Sequence, residues 1–147
     1  MKVENILTVK GADIVKVATS DTVQQTAKLL REMRIGAVLV RDEANNTDGI
    51  AGIISERDII GGLAALGAAA LDMPVDSMMT RDVHVCSPSD TVDEVMSMMT
   101  DRRIRHLPVM EDDKLVGLIS IGDVVKHKIA ESEQEARALR EYITTAG

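Results

Sequence analysis

Mostly apolar residues recur at helical spacing in two segments of the chain. The two sets are Val23, Thr26, Ala27 and Leu30, and Val92, Val95, Met96 and Met99. A spacing of i, i+3, i+4 and i+7 places such residues on one face of a helix. Thr22 with Gln25, and Thr91 with Glu94, fit the capping box that opens a helix. The pattern therefore predicts two amphipathic helices, each beginning after a threonine.

Short apolar runs follow each predicted helix and are joined in pairs by polar turns. Ala37–Val40 is followed by Ile50–Ile54, and Leu107–Met110 by Leu115–Ile119. The Asn-Asn and Asp-Gly pairs within 41–49 indicate one hairpin turn, and residues 111–114 indicate the other. Ser-x-x-Asp then opens a further helix at Ser55 and at Ser120. The predicted order is strand, helix, strand, strand, helix, and it occurs twice.

The two segments are copies of one unit. Ser20-Asp21-Thr22-Val23 recurs as Ser89-Asp90-Thr91-Val92, 69 residues later, and Gly52–Asp58 (GIISERD) matches Gly117–Asp123 (GLISIGD), 65 residues later. The four extra residues of the first copy fall in its hairpin turn. One unit of about 60 residues has a small core and an uncovered sheet face, so we expect the two copies to pack together around a cleft. The predicted fold class is α/β (α+β), with two pseudo-twofold-related repeats, each a small sheet packed with two helices, and a C-terminal helix.

The predicted domain boundaries are 8–66 for the first repeat, 67–76 for a linker, 77–130 for the second repeat and 131–147 for a C-terminal helical tail. The Ala-rich segment Gly67–Met79, which contains Pro74, is typical of a linker. Lys126–Ile143 is predicted to be a terminal helix with a sparse apolar stripe, formed by Ile129, Ala136, Leu139 and Ile143. The spacing allows this stripe either to pack against its own domain or to form a dimer contact.

Composition narrows the class of protein. The 147 residues carry a formal charge of −7 and include no Phe, no Trp and one Tyr. The acidic balance and the lack of aromatic stacking platforms argue against nucleic-acid binding. The N-terminal segment does not read as a signal peptide, and the longest weakly polar run, 59–71, is shorter than the ~20 residues that cross a bilayer. With Cys86 as its single cysteine, the chain is predicted to be cytoplasmic, with no membrane partner.

Each Ser-x-x-Asp lies at a strand-to-helix junction, where chemistry is possible. A helix N-terminus offers N–H donors to an anion. Ser55 or Ser120 could share a phosphate with those donors, while Asp58 or Asp123 could accept hydrogen bonds from both hydroxyls of a ribose. The alternative is that these residues only cap the helix. The duplication of the whole Gly-apolar-apolar-Ser-x-x-Asp pattern favours a binding role.

A second cluster is basic. Arg102, Arg103, Arg105 and His106 precede Leu107-Pro108, and arginine forks match phosphate oxygens in charge and geometry. The first copy has Met33, Arg34, Gly36 and Ala37 at the equivalent positions, so the second copy is predicted to be the better phosphate binder. The alternative is a solvated helix end whose cations complement the helix dipole.

The sequence contains no pattern typical of a catalytic site or a metal site. His84 and Cys86 would share a strand face, but the sequence supplies no orienting acid or oxyanion hole. Cys86 is better explained as a core residue. The histidines at 84, 106 and 127 have no metal-ligand spacing. The chain is predicted not to be an enzyme and to hold no metal of its own.

Together these motifs resemble the cystathionine-β-synthase (CBS) domain, and the duplicated chain resembles its tandem pair, the Bateman module, over roughly Val9–Ala130. The resemblance implies an adenosine-nucleotide sensor in which Asp58 and Asp123 hold ribose hydroxyls and Ser55 and Ser120 approach phosphate. It implies phosphate contacts from the basic residues ahead of the Leu-Pro-Val strand and adenine contacts from 79–84 and, in the first copy, from 10–15. The implied nucleotide-binding residues are Lys10, Val15, Ser55, Arg57, Asp58, Thr80, His84, Arg103, Arg105, His106, Pro108, Ser120 and Asp123. This sequence departs from the family pattern at Gly36 and Ala37, which lack the basic pair, and at Lys10, where threonine is common.

The predicted function is that of a stand-alone regulatory module that binds AMP, ADP, ATP or NAD(H) in the cleft between its repeats and signals to a partner protein. Magnesium would enter only with a bound triphosphate. Members of the family usually form flat dimers, so a homodimer is expected. The alternatives are a ligand-free oligomerisation or protein-interaction module and, less favoured, a hydrolase that acts on the nucleotide.

Overall fold

The computed structural model describes residues 1–11, 14–42, 44 and 49–146. The chain divides into two compact units. We call Ile14–His84 the continuous unit, and Met1–Asp13 with Val85–Gly147 the discontinuous unit. In chain order the elements are α1 (Val3–Lys10), β1 (Lys16–Ala18), α2 (Val23–Met33), β2 (Ala37–Arg41), β3 (Ile50–Ser55), α3 (Glu56–Leu66), two 3-10 helices (Gly67–Asp72 and Val75–Ser77), α4 (Val92–Arg102), β4 (His106–Glu111), β5 (Lys114–Ser120) and α5 (Ile121–Ala146).

The continuous unit contains a three-stranded sheet in the order β1-β2-β3. β1 is parallel to β2, and β2 is antiparallel to β3. Thr22 opens α2 with the predicted capping box, since its hydroxyl accepts from the Gln25 N–H at 3.1 Å and the Gln25 side chain accepts from the Thr22 N–H at 2.9 Å. The predicted apolar face of α2 is confirmed, with Val23 and Leu30 in an aliphatic core that also includes Val38, Val40, Ile54 and Ile59.

The segment predicted as a linker is part of this core. Ala70 and Val75 are fully buried in the 3-10 helices. The Val23 N–H donates to the Met73 carbonyl at 2.9 Å, and the Val75 N–H donates to the Asp21 carbonyl at 2.8 Å. Small apolar side chains here reflect close packing against α2 and α3, so the linker interpretation of 67–76 was wrong.

The discontinuous unit repeats the hairpin and its flanking helices. β4 and β5 pair antiparallel, with a register shift at Val109/Met110 that matches the one at Val40/Arg41 in the first hairpin. Thr91 caps α4 by accepting from the Glu94 N–H at 3.1 Å. The predicted first strand of this repeat is reduced to one parallel bridge, between Cys86 and Val109. The turn predicted at Asn45–Asp48 in the first hairpin lies outside the described residues.

Helix α1 belongs to the second repeat in space although it precedes the first in sequence. Its Val3 and Ile6 are buried in one core with Val92, Leu107 and Ile119. The Val3 N–H donates to the Asp90 carbonyl, and the Val92 N–H donates to the Met1 carbonyl. The unit boundaries therefore differ from the predicted ones, because α1 covers apolar surface that the second repeat leaves open.

Helix α5 runs without a break from Ile121 to Ala146, so the second helix of the repeat and the predicted terminal helix are one element. Within the described ranges, every helix is too short or too polar to cross a membrane.

The glycine that begins each signature lies where another segment crosses the hairpin. A Cβ on Gly52 would lie 2.6 Å from the Thr80 carbonyl oxygen, because Thr80 and Ile53 form two backbone hydrogen bonds there. A Cβ on Gly117 would meet a Leu7 methyl group of α1 at 2.5 Å. In the first case the obstacle is backbone, and in the second it is the end of a flexible side chain.

We therefore expect Gly52→Ala to lower the free energy of unfolding by about 1–3 kcal/mol, in the range of core overpacking. Gly117→Ala should cost clearly less, because Leu7 can change rotamer. Urea denaturation of the two variants checks this, and equal losses would contradict it.

Candidate functional site

Hairpin register brings the basic segment beside the second signature. His106 is the direct partner of Ser120 across β4 and β5, so their side chains share one face of the ladder. One step further, the Ile121 N–H donates to the Arg105 carbonyl at 2.8 Å. The continuous unit has the same geometry without the charge, since Ala37 pairs with Ser55 and the Glu56 N–H donates to the Gly36 carbonyl at 2.9 Å.

Both aspartates cap their helices, as the simpler interpretation predicted. Asp123 Oδ2 accepts from the Ser120 N–H at 2.8 Å and from the Ser120 hydroxyl at 3.0 Å, and the Asp123 N–H returns to Ser120 Oγ at 3.2 Å. Asp58 and Ser55 form the same three bonds at 2.9, 3.1 and 3.3 Å. The cap occupies Oδ2 in each case, so a ligand would have to use mainly Oδ1.

Some backbone donors at the N-terminus of α5 already have partners. In α5 the Ile121 N–H donates to the Arg105 carbonyl and the Asp123 N–H donates to Ser120 Oγ. A phosphate at this end of α5 would therefore depend on side-chain cations more than on backbone donors.

A residue from a distant segment reaches each aspartate. The Thr80 hydroxyl donates to Asp58 Oδ1 at 3.2 Å. The Lys10 Nζ, at the end of α1, donates to Asp123 Oδ2 at 2.6 Å and to the Leu118 carbonyl at 2.7 Å. Each capping aspartate thus has one distant partner, a charged one on Oδ2 of Asp123 and a neutral one on Oδ1 of Asp58.

The sequence profile of the CBS domain matches residues 3–65 and 75–130 of this chain. The chain belongs to the CBS domain family. The Arabidopsis thaliana protein named CBS domain-containing protein CBSX3, mitochondrial, is 35% identical over 127 residues, which is 85% of this chain. The chain spans 61% of that relative's length.

Solved CBS structures share the fold. The CBS-domain containing protein ATU1752 from Agrobacterium tumefaciens is 40% identical, with a TM-score of 0.82 over 86% of this chain and 92% of its own. The CBS domain pair of protein MJ0100, solved in complex with 5′-methylthioadenosine and S-adenosyl-L-methionine, is 23% identical, with a TM-score of 0.74 over 89% of this chain and 98% of its own.

The residues predicted to bind nucleotide fall into two groups in this CBS chain. The discontinuous unit brings together Lys10, Arg105, His106, Ser120 and Asp123, whereas the continuous unit brings together Ser55, Arg57, Asp58 and Thr80. Arg103 is exposed and ends α4 in a left-handed conformation, with φ 54°.

The remaining predicted residues are Pro108, Val15 and His84. Pro108 is buried within β4, and its carbonyl accepts from the Cys86 N–H. Val15 packs against the core of the continuous unit, in a different unit from Lys10, and residues 12–13 between them lie outside the described part of the chain. His84 is half-buried at the end of the continuous unit.

Sequence reasoning missed the contact between Thr80 and Asp58, because it assigned Thr80 to the second repeat. The available signal was Gly52, whose missing side chain allows Thr80 to approach β3. In the part of the chain that the structure describes, His, Cys, Asp and Glu side chains form no group of three placed to hold a metal ion.

The electrostatics of Asp123 follow from its neighbours. Burial by itself would raise the pKa of the carboxyl, but hydrogen bonds from Lys10 and Ser120 and the Lys10 charge outweigh it, so the pKa of Asp123 is lowered. An unfolded aspartate has a pKa of about 3.9. The stabilisation is therefore present above about pH 4 and is lost as the pH falls through the lower folded value.

Lys10→Met should lower the free energy of unfolding by about 0.5–1 kcal/mol at pH 7, a small value because Lys10 is 37% exposed and solvent screens the pair. The loss should be smaller at pH 2, because acid progressively protonates the Asp123 carboxylate and removes the charge that pairs with Lys10. Urea denaturation at both pH values tests this, with the exposed Lys28→Met as the matched control. A loss that does not change with pH would contradict the assignment.

Cys86 is a core residue, as predicted, and burial followed by the nearby Asp90 charge raises the pKa of its thiol to about 12. We expect almost no reaction with an aromatic disulfide reagent at pH 8 in the folded protein and full reaction in urea. The thiol of the unfolded chain has a pKa of about 8.5 and ionises at a lower pH than the buried thiol. The free energy of unfolding should therefore decline from about pH 9 to pH 12. Rapid stoichiometric labelling of the folded chain would contradict this.

Proposed function

We propose that this CBS chain is a regulatory module that binds an adenine nucleotide, AMP, ADP, ATP or NAD(H), and that the discontinuous unit supplies the stronger site. The observation that carries the proposal is the pairing of His106 with Ser120, next to Arg105 and within the same unit as Lys10 and Asp123. These residues combine a carboxylate for ribose hydroxyls with cationic side chains for phosphate.

The Asp123 carboxylate supports the ribose role through its second oxygen. Its pKa is lowered, so the group is ionised at neutral pH and is a strong acceptor for two vicinal hydroxyls. A ribose would have to share this carboxylate with the Lys10 ammonium, which could turn towards a phosphate instead.

The continuous unit is proposed to bind more weakly. It keeps Ser55, Asp58 and the Thr80 hydroxyl, but Gly36 and Ala37 stand where the other unit has Arg105 and His106. It is therefore suited to a nucleoside more than to a polyphosphate.

The CBS pair of MJ0100 in complex with 5′-methylthioadenosine and S-adenosyl-L-methionine has the same fold. That likeness concerns the fold, so the ligand proposed here is supported by the residues of this chain. A bound nucleotide would shift the population between two states of the module, and a partner protein would respond to the difference. Magnesium would arrive only with a triphosphate.

The test is a thermal melt with AMP, ADP, ATP, NAD⁺, NADH and adenosine. A ligand at 100 times its dissociation constant should add about 2.7 kcal/mol to the free energy of unfolding. Asp123→Ala should abolish this gain. Asp58→Ala removes the same helix cap from the other unit and should keep most of the gain. Comparing the two variants therefore separates the loss of a ligand contact from the loss of a helix cap.

Arg105→Ala tests whether this residue contacts phosphate. It should lower the affinity for phosphate-containing ligands about tenfold or more and leave the affinity for adenosine unchanged. If no nucleotide raises the melting temperature, the chain is a ligand-free interaction module and the proposal fails. Chromatography of the nucleotide after incubation tests the hydrolase alternative, for which we expect no product.

A further inference from the structure

The second half of α5 carries apolar side chains that the described part of the chain leaves exposed. Ile129, Leu139 and Ile143 are 55%, 60% and 62% exposed. Positions 132–145 are all exposed, which rules out the predicted alternative that this stripe packs against its own domain. A free helical segment of this kind gains most of its stability from packing against a partner.

The apolar residues of α5, with Ser132 between them, follow a heptad. Val125, Ile129, Ser132, Ala136, Leu139 and Ile143 alternate in steps of four and three, as in the a and d positions of a coiled coil. Val125 is also exposed, at 41%. The seam therefore begins on the part of α5 that lies on its own unit and continues along the uncovered part.

The sizes of these residues favour an antiparallel partner of the same sequence. If Ala136 lies opposite Leu139 of a second copy, then Ser132 lies opposite Ile143, and each of these layers joins one small and one large side chain. A parallel pair would place Ser132 on Ser132 and Ala136 on Ala136 in adjacent layers, which leaves voids between layers of paired Leu and Ile. Uniform packing without voids is the more stable arrangement.

The charges agree with the same register. Glu133 and Glu135 precede Arg137 and Arg140 along the helix, so the exposed segment is acidic and then basic. The antiparallel register places Glu133 opposite Arg140 of the second copy, twice by symmetry. In a parallel pair, Glu133 would face Lys128 of the second copy. Lys128 already forms an ion pair with Asp93 of its own chain, at 3.0 Å.

We propose that residues 129–146 of α5 are a self-association surface, on which a second copy of this chain docks antiparallel, with Glu133 of each copy against Arg140 of the other. The occupant is a second copy because both the layer sizes and the charge pattern are self-complementary. The proposal is independent of nucleotide binding.

The test is analytical ultracentrifugation of the full chain over a concentration series. The wild type should dimerise, and Glu133→Arg or Arg140→Glu alone should raise the dissociation constant about tenfold, equivalent to about 1.4 kcal/mol. A mixture of the two variants should restore wild-type affinity, because each heterodimer then has two opposite-charge pairs. In a parallel pair the mixture would still contain like-charge contacts.

The matched control is Glu141→Arg, which makes the same charge change on the outward face of α5 and should leave the dimer unchanged. Circular dichroism and the melting temperature of each monomeric variant show whether it is folded. A monomeric wild type, a dimer insensitive to both single changes, or a mixture that fails to recover would each overturn the proposal.

Discussion

The register of the two hairpins is the constraint on which the candidate sites depend. Antiparallel pairing ties the residue that begins β4 to the one that ends β5, so His106 and Ser120 cannot separate without breaking the ladder. The same register sets Ala37 against Ser55. A change at either end of the hairpin is therefore felt at the start of the helix that follows, and each signature turn has fixed neighbours.

On this common scaffold the two units differ in charge. The residue that reaches the capping aspartate is Lys10 in one unit and Thr80 in the other. The residues beside the signature serine are Arg105 and His106 in one and Gly36 and Ala37 in the other. The two copies keep the same backbone geometry, which requires only the hairpin and the cap, while the side chains beside each signature serine differ. The proposed site of the discontinuous unit is therefore cationic, and that of the continuous unit is neutral.

Much of the fold could be predicted from short-range patterns. The helix that starts after Thr22, both hairpins and the caps at Ser55 and Ser120 depend on residues within a few positions of each other, and all were found. The prediction failed where contacts span the chain. Ala70 and Val75 read as linker because nothing near them in sequence reveals that they pack into the core of the continuous unit. The role of α1 was missed for the same reason, since its partners are about 90 residues away, as the bond from Val3 to Asp90 shows.

The sequence by itself determined the duplication, the element order within each copy, the Ser-x-x-Asp caps and the basic segment of the second copy, because local backbone preferences and side-chain periodicity are written in neighbouring residues. The tertiary structure decided which distant residue meets each aspartate, that α1 completes the second repeat, and that the end of α5 remains uncovered. These outcomes depend on how apolar surfaces far apart in the chain cover one another, and a one-dimensional pattern records which side chains are apolar but not which surfaces meet.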